Sequence, residues 1–256
     1  MRSSHFSGGT QTLTTPHAPI ALLDWDGTMR RGYTMESWLA FLEQQSRAAT
    51  GTHALFRQLY NNHKQGNLGY DAFLDSAAQL YAQQLQGSSQ KEILALANHY
   101  WEQDRPHLFD FASKLLDHLS HCGFQIILIS GAPAEVLNLY AQGEYFSKDQ
   151  RPVWFMEIVA LEMEIDNGIF TGRIAANPGT LHGKREAVAQ VLANKSGDVI
   201  RLGAGNSNSD QPLLDSARLA LIVDNTTLTH QNALRLHTDH VDFAKLEKFF
   251  TLLKPQ

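Results

Sequence analysis

Apolar and polar positions alternate along this chain in two distinct periods. Four short apolar runs are each followed by small or polar residues, which is typical of buried strands that end in turns. Between most of these runs, apolar residues recur every three or four positions and predict amphipathic helices. The predicted strands cover residues 20–23, 124–129, 198–202 and 219–223, and the predicted helices cover residues 109–119, 133–141, 182–193 and 211–217. Strands and helices in this order predict an α/β fold with a doubly wound, mostly parallel sheet.

A long helical stretch interrupts this alternation after the first strand. Between residues 33 and 105, apolar residues keep helical spacing, and glycine-containing breakers divide the stretch into several helices. We expect residues 33–105 to form a small all-helical cap domain, while residues 19–32 and 106–256 form the α/β core. Residues 1–18 are rich in Ser, Thr, Gly and His and lack the apolar run of a signal peptide, so they are predicted to form a flexible tail.

Residues 153–174 alternate apolar and polar positions around Asp166, Asn167 and Gly168. An Asn-Gly pair between two such segments is a strong signal for two strands joined by a tight turn. We therefore expect a β-hairpin in this part of the chain.

Composition places the chain among ordinary globular proteins. Hydrophobic residues make up 43% and charged residues 18% of the 256 residues, and the formal net charge is -5. Because no basic segment stands out, we expect no nucleic-acid partner and favour a small molecule. No stretch is long and apolar enough to span a membrane, so no membrane partner and a cytoplasmic location are predicted. The single cysteine, Cys122, is expected to be a packed, reduced thiol. No oligomeric state is predicted.

The first predicted strand ends in two carboxylates one residue apart, Asp24 and Asp26, and a glycine follows them. Two ionised aspartates this close repel each other, so a cation, a proton or a raised pKa is needed to keep them together. Such an arrangement is typical of functional sites, although an isolated Asp-x-Asp-Gly segment is more often a solvated turn. Because ligands of doubly wound sheets bind at the carboxyl ends of the strands, the other strand ends become relevant.

Two further segments carry groups that suit an anion. Ser130 and Gly131 begin a small polar turn that is predicted to open a helix, where free backbone N–H groups and the helix dipole favour negative charge. An ordinary helix N-cap is the alternative interpretation. Lys184 follows Gly183 at the start of another predicted helix. A lysine there is usually a solvated surface residue, but it makes more sense if it faces an anion.

The loop from Gly203 to Asp210 is rich in oxygen-bearing side chains. It lacks the third glycine of a dinucleotide-binding fingerprint, because Asn208 stands in that place, and no obvious acidic ribose ligand follows. Asn206, Asn208 and Asp210 better suit a hard cation such as Mg²⁺. An Asx-rich turn with Asp210 as a helix N-cap is the structural alternative.

Taken in order, these segments resemble the motifs of the haloacid dehalogenase (HAD) superfamily. The segments are Asp-x-Asp-Gly-Thr, then Ser-Gly-Ala after an apolar strand, then Gly-Lys at a helix start, then Gly-Asn-Ser-Asn-Ser-Asp. The resemblance runs from residue 20 to residue 225, and the helical insertion is similar to the cap of the phosphoserine phosphatase-like branch. It implies a HAD-like Rossmannoid core and a phosphoric monoester hydrolase.

The resemblance also implies roles for individual residues. Asp24 is implied to be the nucleophile that forms a phosphoaspartate, and Asp26 is implied to be the general acid and base. The expected cofactor is Mg²⁺, which offsets the repulsion between nucleophile and phosphate. The implied phosphate-binding residues are Ser130, Gly131 and Lys184, and the implied metal ligands are Asp24, Asp26 through its backbone carbonyl, Asn206 and Asp210.

We therefore expect a Mg²⁺-dependent phosphomonoesterase that hydrolyses a small phosphorylated metabolite. Phosphoserine phosphatase proper is one alternative, but those enzymes usually carry a second glycine where this chain has Ala132, and Glu36 is the one nearby candidate for reading an amino acid. A non-catalytic phospholigand-binding protein is another, because Asn206 replaces the aspartate most common in the family and removes a negative charge. A phosphotransferase that uses an alcohol acceptor is the third.

Overall fold

The computed structural model describes residues 18–140, 155, 157–195 and 199–254. The seven strands within these residues form one sheet in the order β4-β3-β2-β1-β5-β6-β7. Neighbouring strands are parallel except β3 and β4, which are antiparallel. The strands are β1 (Ile20–Leu23), β2 (Gln125–Pro133), β3 (Glu157–Asp166), β4 (Ile169–Ala176), β5 (Ile200–Gly205), β6 (Leu219–Val223) and β7 (Ala233–Leu236). The predicted α/β fold with a doubly wound, mostly parallel sheet is confirmed.

Nine α-helices lie within the described ranges, five of them between β1 and β2. They are α1 (Thr34–Gln44), α2 (Thr52–Lys64), α3 (Tyr70–Leu85), α4 (Gln90–Asp104), α5 (Asp110–His121), α6 (Ala134–Leu137), α7 (Leu181–Asn194), α8 (Gln211–Asp215) and α9 (Phe243–Leu253). None of the described helices combines the length and the apolar character needed to cross a membrane.

The central strand β1 is buried on both faces because its residues alternate between two clusters. Ile20 and Leu22 pack in a cluster that includes Val188 of α7, whereas Ala21 and Leu23 belong to the large core that includes residues of α5 and α9. Both faces of the sheet are therefore covered, as the near-continuous apolar run of β1 requires. The carboxyl end of β1 emerges at the centre of the sheet edge, with β2 and β5 on either side.

Helices α1–α4 form the helical insertion, defined here as residues 34–104. A buried ion pair joins its two ends: Arg30, just before the insertion, donates from Nε to Asp104 Oδ1 at 2.8 Å, and both side chains are at most 1% exposed. The insertion also contacts the hairpin, since Gly87 N–H donates to the Phe170 carbonyl at 2.9 Å. The domain boundaries at residues 33 and 105 stay predictions, and residues 1–17 of the predicted tail lie outside the described residues.

The β3–β4 hairpin has the predicted turn, with Asn167 and Gly168 at positive φ angles of 48° and 79°. The part of this prediction before residue 157 lies largely outside the described residues, as do residue 141 of one predicted helix and residue 198 of one predicted strand. Strand β7 and helix α9 were not predicted. A signal for α9 exists in the sequence, since its buried residues are spaced as on one helix face: Leu246, Phe249, Phe250 and Leu253.

Candidate active site

Asp24 lies immediately after β1 and is 5% exposed. Its backbone N–H donates to the carbonyl of Ala204 on β5 at 3.0 Å, so the sheet pairing continues one residue beyond the strand. Its Oδ2 accepts a hydrogen bond from Thr28 Oγ1 at 2.8 Å, and its Oδ1 accepts one from Lys184 Nζ at 2.6 Å. The carboxylate is therefore held from two sides at the centre of the sheet edge.

Asp26 has different partners from Asp24. It belongs to a tight turn in which Gly27 has a φ of 77°, in the left-handed region that glycine adopts at little cost. Its Oδ1 accepts hydrogen bonds from the Thr34 hydroxyl and from the Thr34 backbone N–H, the latter at 2.9 Å. Because Thr34 is the first residue of α1, Asp26 connects its own turn to the helical insertion.

Lys184 lies in the first turn of α7, which Thr180 caps by accepting a hydrogen bond from the Gly183 N–H. Its side chain is 3% exposed, and Nζ donates to both Asp24 Oδ1 and Asp210 Oδ1. The interpretation of Lys184 as a solvated surface residue is therefore wrong. Burial alone would lower the pKa of Lys184, but the carboxylates of Asp210 and Asp24 raise it, so the lysine keeps its charge.

The two predicted catalytic carboxylates have raised pKa values for different reasons. Burial raises the pKa of Asp24, the charge of Asp210 raises it further, and Lys184 acts in the opposite direction. Burial also raises the pKa of Asp26, to about 6, against the lowering effect of Arg30. Repulsion between Asp24 and Asp26 is not the main cause of either shift. The carboxylate that raises the pKa of Asp24 most is that of Asp210, which is far away in the sequence.

The loop after β5 is organised by Asp210. Its Oδ2 accepts hydrogen bonds from the N–H groups of Asn206 and Ser207 at 2.9 and 2.7 Å, and from Ser207 Oγ at 2.9 Å. Ser207 and Asp210 thus form a capping box over a short 3-10 helix, whereas the Asp210 side chain makes no capping bond to α8. Since Lys184 occupies Oδ1, both oxygens of Asp210 are engaged within the protein.

The side chain of Asn206 lies beside the turn that contains Asp26. Its Oδ1 is 3.3 Å from Thr28 Oγ1, the same hydroxyl that contacts Asp24 Oδ2. A Cβ atom on Gly27 would lie 2.0 Å from Asn206 Nδ2, so the glycine also provides room for the amide. Asn225, a positioning residue that sequence analysis missed, donates from Nδ2 to the Asn206 carbonyl at 2.7 Å.

The oxygen atoms next to Thr28 are the best candidates for holding a metal ion. They are the carboxylate of Asp24 and the amide oxygen of Asn206. Asp210 is linked to Asp24 through Lys184, which donates to both carboxylates. Within the described ranges, no group of three or more His, Cys, Asp or Glu residues is arranged to hold a metal ion. An oxygen-only set with one or two carboxylates fits Mg²⁺, which usually keeps several of its waters.

Ser130 and Gly131 lie in the last part of β2 and not at the start of a helix. Strand β2 continues to Pro133, which pairs with Leu161 of β3 after a break in register. The helix that follows, α6, has only four residues. The predicted turn at Ser130 is therefore wrong, because β2 resumes its pairing with β3 at Pro133 and the helix begins only at Ala134. Gly131 instead lies against Gly179, and a Cβ atom on Gly131 would be 2.9 Å from the Gly179 Cα.

A cavity of about 30 Å³ brings most of these groups together. The residues that the helical insertion contributes to it were not predicted, because single tyrosines and leucines in amphipathic helices look like core residues. Glu36 does not line this cavity and pairs with Arg57 at 2.8 Å. The core residues that line the cavity are Asp24, Asp26, Ser130, Gly131, Gly179 and Lys184, and the others are Tyr33, Tyr70 and Leu74.

Comparison with known proteins identifies the family. Residues 21–215 match the family of haloacid dehalogenase-like hydrolases. No curated protein matches the chain significantly in sequence.

Solved structures share the fold at low sequence identity. A protein of unknown function from Bordetella pertussis Tohama I has 20% identity and a TM-score of 0.60, covering 82% of this chain and 92% of its own. A phospho-aspartyl intermediate analogue of phosphoserine phosphatase has 13% identity and a TM-score of 0.62, covering 91% and 99%. A HAD family hydrolase from Salmonella enterica subsp. enterica serovar Typhi has 15% identity and a TM-score of 0.60, covering 90% and 71%. The chain belongs to the haloacid dehalogenase-like hydrolase family, as its four motifs predicted.

Proposed function

We propose that this protein is a Mg²⁺-dependent phosphomonoesterase that hydrolyses a small phosphorylated metabolite through a phosphoaspartate on Asp24, with the helical insertion acting as its cap. The observation that carries the proposal is the contact of 2.6 Å between Lys184 Nζ and Asp24 Oδ1, buried beside Ser130 and Gly131. A carboxylate beside a charged lysine is well placed to attack phosphorus, because the ammonium group of Lys184 can also stabilise the negative charge on the phosphoryl oxygens.

Asp24 and Asp26 divide the chemistry between them. In the first step, a carboxylate oxygen of Asp24 forms a bond to phosphorus while the bond between phosphorus and the ester oxygen breaks. Asp26 gives its proton to the leaving alkoxide, then takes a proton from the water that attacks phosphorus and releases Asp24 and inorganic phosphate. Because Oδ1 of Asp26 is bonded to Thr34, we assign the proton transfers to Oδ2. The pKa of about 6 for Asp26 leaves a protonated fraction near neutral pH.

Other residues orient the phosphoryl group and the metal ion. Lys184, the hydroxyl of Ser130 and the backbone N–H of Gly131 are assigned to the phosphoryl oxygens. Mg²⁺, when bound, supplies positive charge that offsets the repulsion between phosphate and carboxylate. We assign Asp24, Asn206 and the Asp26 carbonyl as its ligands, with Asp210 holding the loop of Asn206 in place.

Hydrolysis of p-nitrophenyl phosphate with Mg²⁺ tests this proposal. The parent protein should release p-nitrophenol only when Mg²⁺ is present, and Asp24→Asn should abolish the reaction while circular dichroism shows an unchanged fold. Mass spectrometry of acid-quenched parent protein should locate a phosphoryl group on the peptide that contains Asp24. Metal-dependent turnover that survives in Asp24→Asn would exclude Asp24 as the nucleophile. Asp239→Asn, which changes an exposed carboxylate outside the cavity, serves as the matched control.

A second candidate function is non-catalytic binding of a phosphorylated ligand. Two observations favour it, because both leave less negative charge to hold a metal ion. Asn206 is neutral, and both oxygens of Asp210 accept hydrogen bonds from protein donors. Under this alternative, a broad panel of phosphate esters shows no turnover, yet inorganic phosphate or an ester raises the melting temperature. Detectable Asp24-dependent turnover of any ester would rule it out.

A further inference from the structure

We propose that the substrate is a phosphomonoester whose alcohol carries no second anionic group, and that Tyr33, Tyr70 and Leu74 select it. This inference rests on the proposed function and names its substrate class. Tyr70 and Leu74 of the helical insertion, together with Tyr33 directly before it, form a wall of the cavity that Asp24 and Lys184 also line. The wall therefore offers two phenol hydroxyls and one aliphatic group to the alcohol part of the substrate.

The position of α3 explains why its first two turns form this wall. Asp71 Oδ1 accepts a hydrogen bond from the backbone N–H of Leu181 at 3.3 Å, and Asp75 Oδ1 accepts one from Asn177 Nδ2 at 3.0 Å. Both contacts join the start of α3 to the segment that leads into α7, which carries Lys184. Tyr70 and Leu74 are thereby placed over the nucleophile.

The two tyrosines are oriented by an aromatic cluster behind them. The ring of Tyr33 packs against those of Tyr60 and Phe73, with centroids 5.5 and 5.6 Å apart, and the ring of Tyr70 packs against His63 at 5.3 Å. The side chain of Tyr70 interacts with those of Ser207 and Tyr33. The phenol ends therefore reach the catalytic loops while the rings stay in the insertion.

Burial raises the pKa of Tyr70, and the charges of Asp210 and Asp24 raise it further. The hydroxyl of Tyr70 consequently stays protonated and remains both a hydrogen-bond donor and an acceptor. The Tyr70 hydroxyl can therefore exchange hydrogen bonds with a hydroxyl group on the alcohol part of the substrate.

The charges around the cavity argue against a second anion. Three carboxylates, those of Asp24, Asp26 and Asp210, line or adjoin it, and Lys184 is the one lysine or arginine among its described lining residues. The Lys184 charge is already shared between Asp24 and Asp210. With Lys184 engaged by these carboxylates and assigned to the phosphoryl group, an additional carboxylate on the alcohol part would find no further lysine or arginine among the described lining residues.

The lysines and arginines of the helical insertion, and Arg105 directly after it, do not supply a cation that could pair with a second anionic group. Arg47 pairs with Glu92 and Arg57 with Glu36, Lys64 lies 5.9 Å from the Tyr60 ring centroid, Arg105 stacks on Trp101, and Lys91 is exposed. None of these five side chains lines the cavity. Phosphoserine, which carries a carboxylate, thus belongs to the disfavoured class, although phosphoserine phosphatases share the fold.

A matched pair of esters tests the inference. Glycerol 3-phosphate and 3-phosphoglycerate differ in whether one terminal carbon is a hydroxymethyl group or a carboxylate. We expect kcat/KM for glycerol 3-phosphate to be at least about tenfold higher, because a second negative charge at this distance is unfavourable. Leu74→Arg should remove or reverse this preference by placing a cation in the wall, whereas Leu74→Met should keep it. Tyr70→Phe should lower kcat/KM for glycerol 3-phosphate more than for p-nitrophenyl phosphate, whose alcohol part has no hydroxyl group.

The outcomes separate this inference from the proposed function. Asp24-dependent hydrolysis that favours 3-phosphoglycerate and does not respond to Leu74→Arg would overturn the substrate class and leave the phosphatase proposal intact. If neither ester is hydrolysed, calorimetric binding to the parent protein and to Leu74→Arg gives the same comparison. Tighter binding of glycerol 3-phosphate to the parent supports the inference, and equal, reversed or absent binding overturns it.

Discussion

The ammonium group of Lys184 lies 2.6 Å from Oδ1 of Asp24, at a position where both side chains are almost fully buried. The same ammonium group contacts Asp210, so one cation holds two carboxylates from different motifs. Removing it leaves two uncompensated buried charges, which is more costly than the pair itself is stabilising.

We therefore predict that Lys184→Met lowers the free energy of unfolding at neutral pH by about 3 kcal/mol or more. It should also reduce kcat/KM by at least about 100-fold, because the proposed charged contact with the phosphoryl oxygens is lost. Urea unfolding and p-nitrophenyl phosphate kinetics measure the two effects. Lys245→Met, which breaks an exposed pair with Asp242, should change neither quantity appreciably. A Lys184→Met protein with parental stability would contradict the central role of this cation.

Asp26→Asn should impair substrates with poor leaving groups most. An alkoxide needs a proton as it leaves, whereas p-nitrophenolate leaves readily without one, so the loss of a general acid affects the alkyl ester more. We expect about a 100-fold larger decrease in kcat for an alkyl phosphate than for p-nitrophenyl phosphate. Equal losses for both esters would argue that Asp26 acts through its bond to Thr34 and not as an acid. Thr34→Val, which removes the hydroxyl partner of Asp26 and also the acceptor of the Trp25 Nε1–H, is the control for that structural effect.

Asn206→Asp should strengthen Mg²⁺ binding. The Asn206 oxygen lies beside Thr28 and near Asp24, so an aspartate there adds a negative charge to the oxygen set. We expect the Kd for Mg²⁺ to fall by about tenfold, measured by calorimetry, and the melting temperature without metal to fall because of added repulsion. Asn208→Asp is the matched control, since Asn208 accepts a hydrogen bond from Thr227. An unchanged Kd in Asn206→Asp would place the metal elsewhere.

Glu135 makes the stability of the protein depend on pH. It is 7% exposed, and its Oε2 accepts a hydrogen bond from the Tyr81 hydroxyl at 2.9 Å. Burial raises its pKa from 4.5 to about 7. Because the folded state holds this proton more tightly than the unfolded state, the stability that Glu135 contributes is present below pH 4.5 and is lost as the pH rises to about 7.

Glu135→Gln should therefore stabilise the protein more at pH 8 than at pH 5, by up to about 3 kcal/mol in the difference between the two values. Urea unfolding of both proteins at the two pH values measures it. Glu186→Gln changes an exposed glutamate and should show no such difference. If the stability of Glu135→Gln and of the parent protein varies with pH in parallel, the ionisation of Glu135 does not contribute.

The buried pair of Arg30 and Asp104 should stabilise the junction between the core and the helical insertion. Asp104 also accepts a hydrogen bond from the Tyr140 hydroxyl at 3.0 Å, which links α4 to the core. We predict that Asp104→Leu alone costs about 3–5 kcal/mol, because the charge of Arg30 stays buried without its partner. The double variant Arg30→Met with Asp104→Leu should recover most of this loss in urea unfolding. Arg57→Met, at an exposed pair, should cost less than about 1 kcal/mol.

Local sequence was sufficient for most of the elements, though β7 and α9 were not predicted, and for the order of the motifs. The apolar run Ile20–Leu23 and the turn residues after it determine a buried strand with Asp24 and Asp26 at its end, because strand period and glycine conformation depend on near neighbours. The Asn167-Gly168 turn of the hairpin was predictable for the same reason. The extension of β2 through Ser130 to Pro133 was not, because pairing with β3 decides where that strand ends.

Contacts between distant residues needed the tertiary structure. The order of the parallel strands brings Lys184 and Asp210 to Asp24, and the docking of α3 brings Tyr70 to the same cavity. Neither relation follows from spacing, because it depends on strand register and on packing between segments far apart in the chain. The sequence by itself determined which chemical groups this protein has at its strand ends. The tertiary structure decided which partners these groups have. As a result, burial and the charge of Asp210 raise the pKa of Asp24 more than the neighbouring Asp26 does.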